Sequence, residues 1–265
     1  MKTRKKTQPS SSQREFVAKK MSFKVPESWG ELTQGQLRMI IRLYVIYDGD
    51  KDGLLRIQTA ALFNLMHVTV DTELPEGFLC YQPSTGKKFV LNQELLPWMM
   101  KQVGWVTHPE QMNVRLETMH GCKAAAFDLR DLMFGKYLEC ENYYQGFIQT
   151  MKEDNLKSMA MILYDMPETK HGILTEFDGK AVLLWWNAVK YRFGQMFPHF
   201  LKPQGSDGEG DASQMELMNA QIRMLTKGDV TKEDEILNRT STLRALTELD
   251  AQAREAEEIK KMMKK

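Results

Sequence analysis

The chain has 265 residues, 42% of them hydrophobic, and its 36 Lys and Arg against 35 Asp and Glu leave a formal net charge of +1. This composition supports a buried core and excludes both a global basic field for nucleic acid and an acidic field for a basic partner. No apolar run reaches the roughly 18 residues of a membrane span, and the basic N-terminus has no apolar stretch behind it, so neither a spanning helix nor a secretory signal is expected.

Cys80, Cys122 and Cys140 include no CxxC pair and are odd in number, which gives no disulfide framework and fits a reducing compartment. The 19 methionines suit an adaptable core with self-association, or a promiscuous peptide groove.

Residues 1–20 read as a disordered basic arm, with Lys2, Arg4, Lys5, Lys6, Arg14, Lys19 and Lys20 against Glu15. A solubilising or weakly docking role is expected of it before a nucleic-acid role. A mainly helical domain is expected over residues 21–201. Pro26, Trp29 and Gly30 mark a turn, and Thr33 is placed to cap a helix. LRMIIRLYVIY, residues 37–47, reads as that helix, with Arg38 and Arg42 on its polar side; its β-branched end also admits a strand.

DGDKDG, residues 48–53, is the sharpest chemical pattern. Asp48, Asp50, Asp52 and Gly53 match the first half of a calcium-binding EF-hand loop. Thr59 stands where a bidentate Glu is needed, and Arg56 brings positive charge to the site, so a solvated acidic turn between two helices is expected instead. FLCY and KKFVL, within residues 78–91, flank Pro83, Ser84, Thr85 and Gly86 and predict a β-hairpin inserted among helices. STGK there lacks the glycine spacing of a phosphate loop, because Lys88 replaces the required Ser or Thr.

A short helix is expected over residues 95–103, with Pro97 at its start and Trp98 and Met99 toward a core or an interface. Residues 105–109 read as a loop and 112–126 as helix or irregular structure. His108, His120 and Cys122 follow no zinc spacing, so no metal is expected. Residues 129–164 predict a helical hairpin at the centre of the domain: Phe134, Tyr137, Leu138, Tyr144, Ile148 and Met151 recur at helical spacing. Asp154 or Asn155 is expected to break or cap it, and Leu156, Met159, Ile162 and Leu163 continue on a second helix.

A further helix is expected over residues 178–193. Its run AVLLWW, with Trp185 and Trp186, is either deeply buried or committed to an oligomer interface, and Tyr191, Phe193, Phe197 and Phe200 extend the aromatic patch. Residues 202–213, KPQGSDGEGDAS, read as a flexible linker. Beyond it, residues 214–265 form a C-terminal helical unit. Met215, Met218, Ile222 and Leu225 make one stripe ended by Gly228. Thr231 and Asp234 resemble a capping box that opens a helix using Ile236, Leu237, Leu243, Leu246 and Leu249. This unit is too small to stand alone and is expected to dock on the main domain, on another copy or on a partner.

Glu139, Glu141 and Asp128 lie near or on the central helical region, but Glu139 and Glu141 are two apart and do not share a helical face, so no paired-carboxylate site is expected. The expectation is therefore a non-enzyme without a cofactor that acts by binding. The residues expected to bind protein are Trp98, Tyr144, Trp185, Trp186, Phe197, Met218, Ile222 and Leu225.

FKVPESWGELTQGQLRMIIRLY (residues 23–44), FDLRDLMFGKYLECENYYQGFIQT (127–150) with Leu163 and Tyr164 after it, and MNAQIRMLTKGDVTKEDEILNRT (218–240) together resemble prophage proteins of Bacteroides-type gut bacteria, of the tail-assembly-chaperone kind. The resemblance implies a cytoplasmic factor in a bacterial host that binds phage tail or tape-measure components before they polymerise and keeps them soluble. It carries no catalytic residues. The alternatives are a structural tail or virion component, and a nucleic-acid-associated accessory protein acting through residues 1–20. Homo-oligomerisation is open, and no membrane is implied.

Overall fold

The computed structural model describes residues 23–201 and 214–263. The arm expected over 1–20 and the linker expected over 202–213 lie outside the described residues. The described chain is mainly α-helical, with a small antiparallel sheet among the helices and separate C-terminal helices, the class that the hydrophobic spacing predicts. It divides between His108 and Pro109 into two compact units. The expectation of one body over 21–201 missed this division because short 3-10 turns, Gly104–Thr107 and Pro109–Gln111, flank it in place of a Gly/Ser-rich stretch.

In the first unit, α1 (Gln34–Tyr47) starts from a reciprocal cap: Gln36 N–H donates to Thr33 Oγ1 at 3.2 Å, and Thr33 N–H donates to Gln36 Oε1 at 2.9 Å. Leu37, Ile40, Ile41 and Tyr44 are buried along one face, so the whole run is helix and the strand alternative falls. α2 (Gly53–Leu65) buries Ile57, Ala61, Leu62 and Leu65. A Cβ on Gly53 would lie 2.1 Å from the Tyr47 carbonyl, so the tight turn between these helices requires glycine.

The sheet has the order β1 (Thr69–Leu74), β2 (Gly77–Gln82), β3 (Lys87–Asn92). The β2–β3 hairpin is the expected one. β1 was not foreseen: five of its six residues are exposed, so it carries no inside–outside alternation. α3 (Leu96–Gln102) follows, with Pro97 in its first turn. Trp29 and Trp105 meet edge to face at 5.1 Å and donate to the carbonyls of His108 (3.2 Å) and Pro26 (3.1 Å), which ties the two ends of the unit together.

The second unit opens with a two-stranded ribbon, β4 (Thr118–Met119) and β5 (Cys122–Lys123). Its centre is a hairpin of α4 (Phe134–Thr150) and α5 (Glu153–Leu163). The break falls earlier than expected, at Met151 with φ 55°. Asp154 instead sits in the first turn of α5, where a carboxylate complements the helix dipole. α6 (Glu176–Met196) begins at Thr175, whose N–H donates to the buried Asp178 carboxylate at 2.9 Å.

α7 (Gln214–Thr226), α8 (Glu233–Arg239) and α9 (Thr242–Met263) form the C-terminal unit. These helices pack on the chain's own body. Phe134 N–H donates to the Thr240 carbonyl and Thr242 N–H to the Leu132 carbonyl, both at 2.9 Å, around a bridge between Met133 and Ser241. These bonds replace the helical ones lost at residues 240–241 and split the continuous helix expected there. Thr231 does not cap it; its N–H donates to Asp229 in a 3-10 turn, Val230–Lys232. At the other side of α9, Asp250 Oδ1 accepts from His199 N–H (2.8 Å) and Phe200 N–H (3.0 Å). Leu246 and Leu249 have 0% exposure, and burying such a side chain stabilises by about 1.5–3 kcal/mol.

Candidate functional site

Of the five tryptophans, only Trp98 is exposed, at 63% of its surface. It stands on α3, a helix that buries none of its residues, beside exposed Leu95 and half-buried Met99. Spacings of three and four along a helix put these three on one face. That face borders a groove of about 1120 Å³ lined also by residues 23–27, Glu31, Gln36, Leu62, Met66, Phe89, Val90, Leu91 and Gln102.

Leu62, Met66, Phe89 and Leu91 are nearly fully buried and form the base, continuous with the core of the unit. The charged lining residues are Lys24, Glu27 and Glu31, all exposed, with Glu31 Oε2 accepting from Glu27 N–H at 2.9 Å. An open apolar channel with an exposed indole at its rim can withdraw apolar side chains of a partner from water.

The other expected binding residues are placed differently. Trp185 and Trp186 are buried to 1% and 0% exposure and Phe197 to 4%, so these three are core and offer no surface to a partner. Trp185 donates to the Phe127 carbonyl at 2.9 Å, Trp186 packs on Tyr137 at 5.6 Å, and Phe197 meets Phe193 edge to face at 5.6 Å. The AVLLWW run thus resolves to deep burial. Tyr144 is half-buried: the Lys190 ammonium lies 4.9 Å from its ring centroid while pairing with Glu141 at 2.5 Å. Burial, and then Glu141, hold the Tyr144 hydroxyl above the usual phenol range. Met218, Ile222 and Leu225 are also half-buried, whereas the exposed apolar residues of α7 are Met215, Leu217 and Met224.

Trp98 lines the groove, whose base comes from α2 and β3 and is not visible in the sequence. The available signal was the Leu95–Trp98–Met99 face on a helix too short to bury it. The DGDKDG segment is a tight turn with exposed carboxylates, and Asp50 pairs with Arg56 at 3.3 Å. The Pro83–Gly86 segment turns between β2 and β3, with the Gln82 carbonyl accepting from Thr85 and Gly86 N–H. His120 contacts Asp178 at 3.0 Å, and Lys170 Nζ donates to Cys122 Sγ at 3.2 Å. Among the described residues, no group of three or more His, Cys, Asp or Glu could hold a metal ion, and no helix is long and apolar enough to cross a membrane. Comparison with protein-family models, curated proteins and solved structures finds no match.

Proposed function

We propose that the chain is a non-enzymatic assembly factor that holds an apolar segment of a partner protein in the Trp98 groove. In the terms of the sequence resemblance, the partner is a phage tail or tape-measure component bound in the bacterial cytoplasm before polymerisation. The observation that carries this reading is the exposed Trp98 on the rim of an apolar groove; an aromatic anchor beside a pocket is the usual centre of a protein interface.

The test is copurification of the full chain from a phage-producing culture, beside the variant Trp98→Ala, with identification and stoichiometry of what is captured. The expected result is a tail component bound before particles form, with capture reduced about tenfold or more by the variant. Equal capture by both chains overturns the groove as the site. Recovery only in finished particles overturns the chaperone role in favour of a structural tail component.

A further inference from the structure

The groove meets the sheet along an edge and not along a face. Strand side chains alternate between faces, so a groove lying on a face would be lined by every second residue. Here the consecutive residues Phe89, Val90 and Leu91 of β3 all line it. Among the described residues β3 is a terminal strand, paired only with β2.

The phase of the ladder fixes which backbone groups point outward. Gln93 N–H donates to the Glu76 carbonyl at 3.1 Å. Bonded and non-bonded pairs alternate from there, so Phe78 with Leu91 and Cys80 with Phe89 are the bonded pairs. Val90, opposite Leu79, therefore turns its N–H and C=O away from β2.

The two edges of this sheet are treated unequally. β1 carries Asp71 and Glu73 and an irregularity in register between Val70 and Thr72, devices that discourage strand addition. β3 carries its charges at its start, Lys87 and Lys88, with Lys88 pairing with Asp71 at 2.9 Å, and has no charge, proline or bulge from Phe89 to Leu91. The ionic rim of the groove is acidic, with Glu27 and Glu31 against Lys24.

We propose that the groove takes an extended segment of the partner protein as an added strand beside β3. Alternate apolar side chains would face Leu62, Met66 and Trp98, and a basic residue would face Glu27 and Glu31. This rests on the groove being the partner site. Backbone bonds to Val90 supply the affinity, the apolar base selects period-two sequences, and the carboxylates set the direction of the incoming strand.

The probe is a library of random 12-residue peptides displayed on a surface and panned on the full chain, keeping peptides whose binding is lost with Trp98→Ala. The enriched peptides should alternate apolar and polar residues and carry Lys or Arg toward one end, and Glu27→Lys should select against that basic end. Val90→Pro removes an outward N–H and no ladder bond, so the sheet should persist while peptide binding falls at least tenfold. A second readout leaves the protein untouched: N-methylation of one alternating set of peptide amides should abolish binding, and methylation of the other set should spare it. Apolar residues enriched at spacings of three and four, or equal tolerance of both methylation sets, overturns strand addition while leaving the groove. Absence of any peptide that depends on Trp98 overturns the groove reading itself.

Discussion

Thr242 donates twice to one acceptor 110 positions earlier: its N–H and its Oγ1 reach the Leu132 carbonyl at 2.9 and 2.8 Å. Thr242 has 0% exposure, so neither bond competes with bulk water. Replacing Thr242 by the near-isosteric Val removes the hydroxyl bond and keeps the backbone one. A loss of about 1 kcal/mol in urea unfolding is expected, with the secondary structure intact.

Gly135 and Gly194 are helical glycines that should respond with opposite signs. A Cβ at Gly135 would lie 2.9 Å from the Leu237 carbonyl, where α8 packs on α4, whereas a Cβ at Gly194 meets nothing within 4 Å. Alanine gains about 1 kcal/mol of helix propensity at either site. At Gly135 the displaced backbone costs about 1–3 kcal/mol, which exceeds the gain. Thermal melting should therefore fall for Gly135→Ala and rise for Gly194→Ala.

Removing residues 203–265 should unfold the second unit and not merely free a tail. Ala245, Leu246 and Leu249 of α9 are at most 1% exposed and complete its core. Near-ultraviolet circular dichroism should collapse and limited proteolysis should reach α4 and α6. Lost partner capture by such a truncation would therefore say nothing about where a partner binds.

The three thiols should separate cleanly. Burial pushes the Cys80 thiol up and holds Cys140 well above the usual thiol range, and it also excludes reagent from both. Only the thiolate reacts. Cys122, half-exposed, should alkylate in the native protein at neutral pH, while Cys80 and Cys140 should alkylate only on unfolding, as intact-mass measurement will show.

The helices were legible where apolar spacing met a local cap, as at Thr33 and along α1. They were misread where a tertiary bond outweighed local preference. Residues 231–249 read as one helix because the Leu132–Thr242 and Phe134–Thr240 bonds that split it come from far along the chain. Trp185 and Trp186 read as core or interface alike, since periodicity cannot say what covers an apolar face; the answer needed Tyr137, Phe193 and the Phe127 carbonyl in place. Trp98 also read as core or interface alike; its 63% exposure on the short α3 is what the fold adds. Its groove was not legible, because Leu62, Met66, Phe89 and Leu91 converge only through the fold.

A partner held in the groove beside Trp98 should leave its mark on the first unit. Amide hydrogen exchange on the full chain, free and in complex with its captured partner, tests this most directly. Binding in the groove should bring new protection at residues 87–102 and 23–31, with exchange across α7 unchanged. Protection confined to α7 or elsewhere in the second unit, with residues 87–102 exchanging as in the free protein, would contradict it.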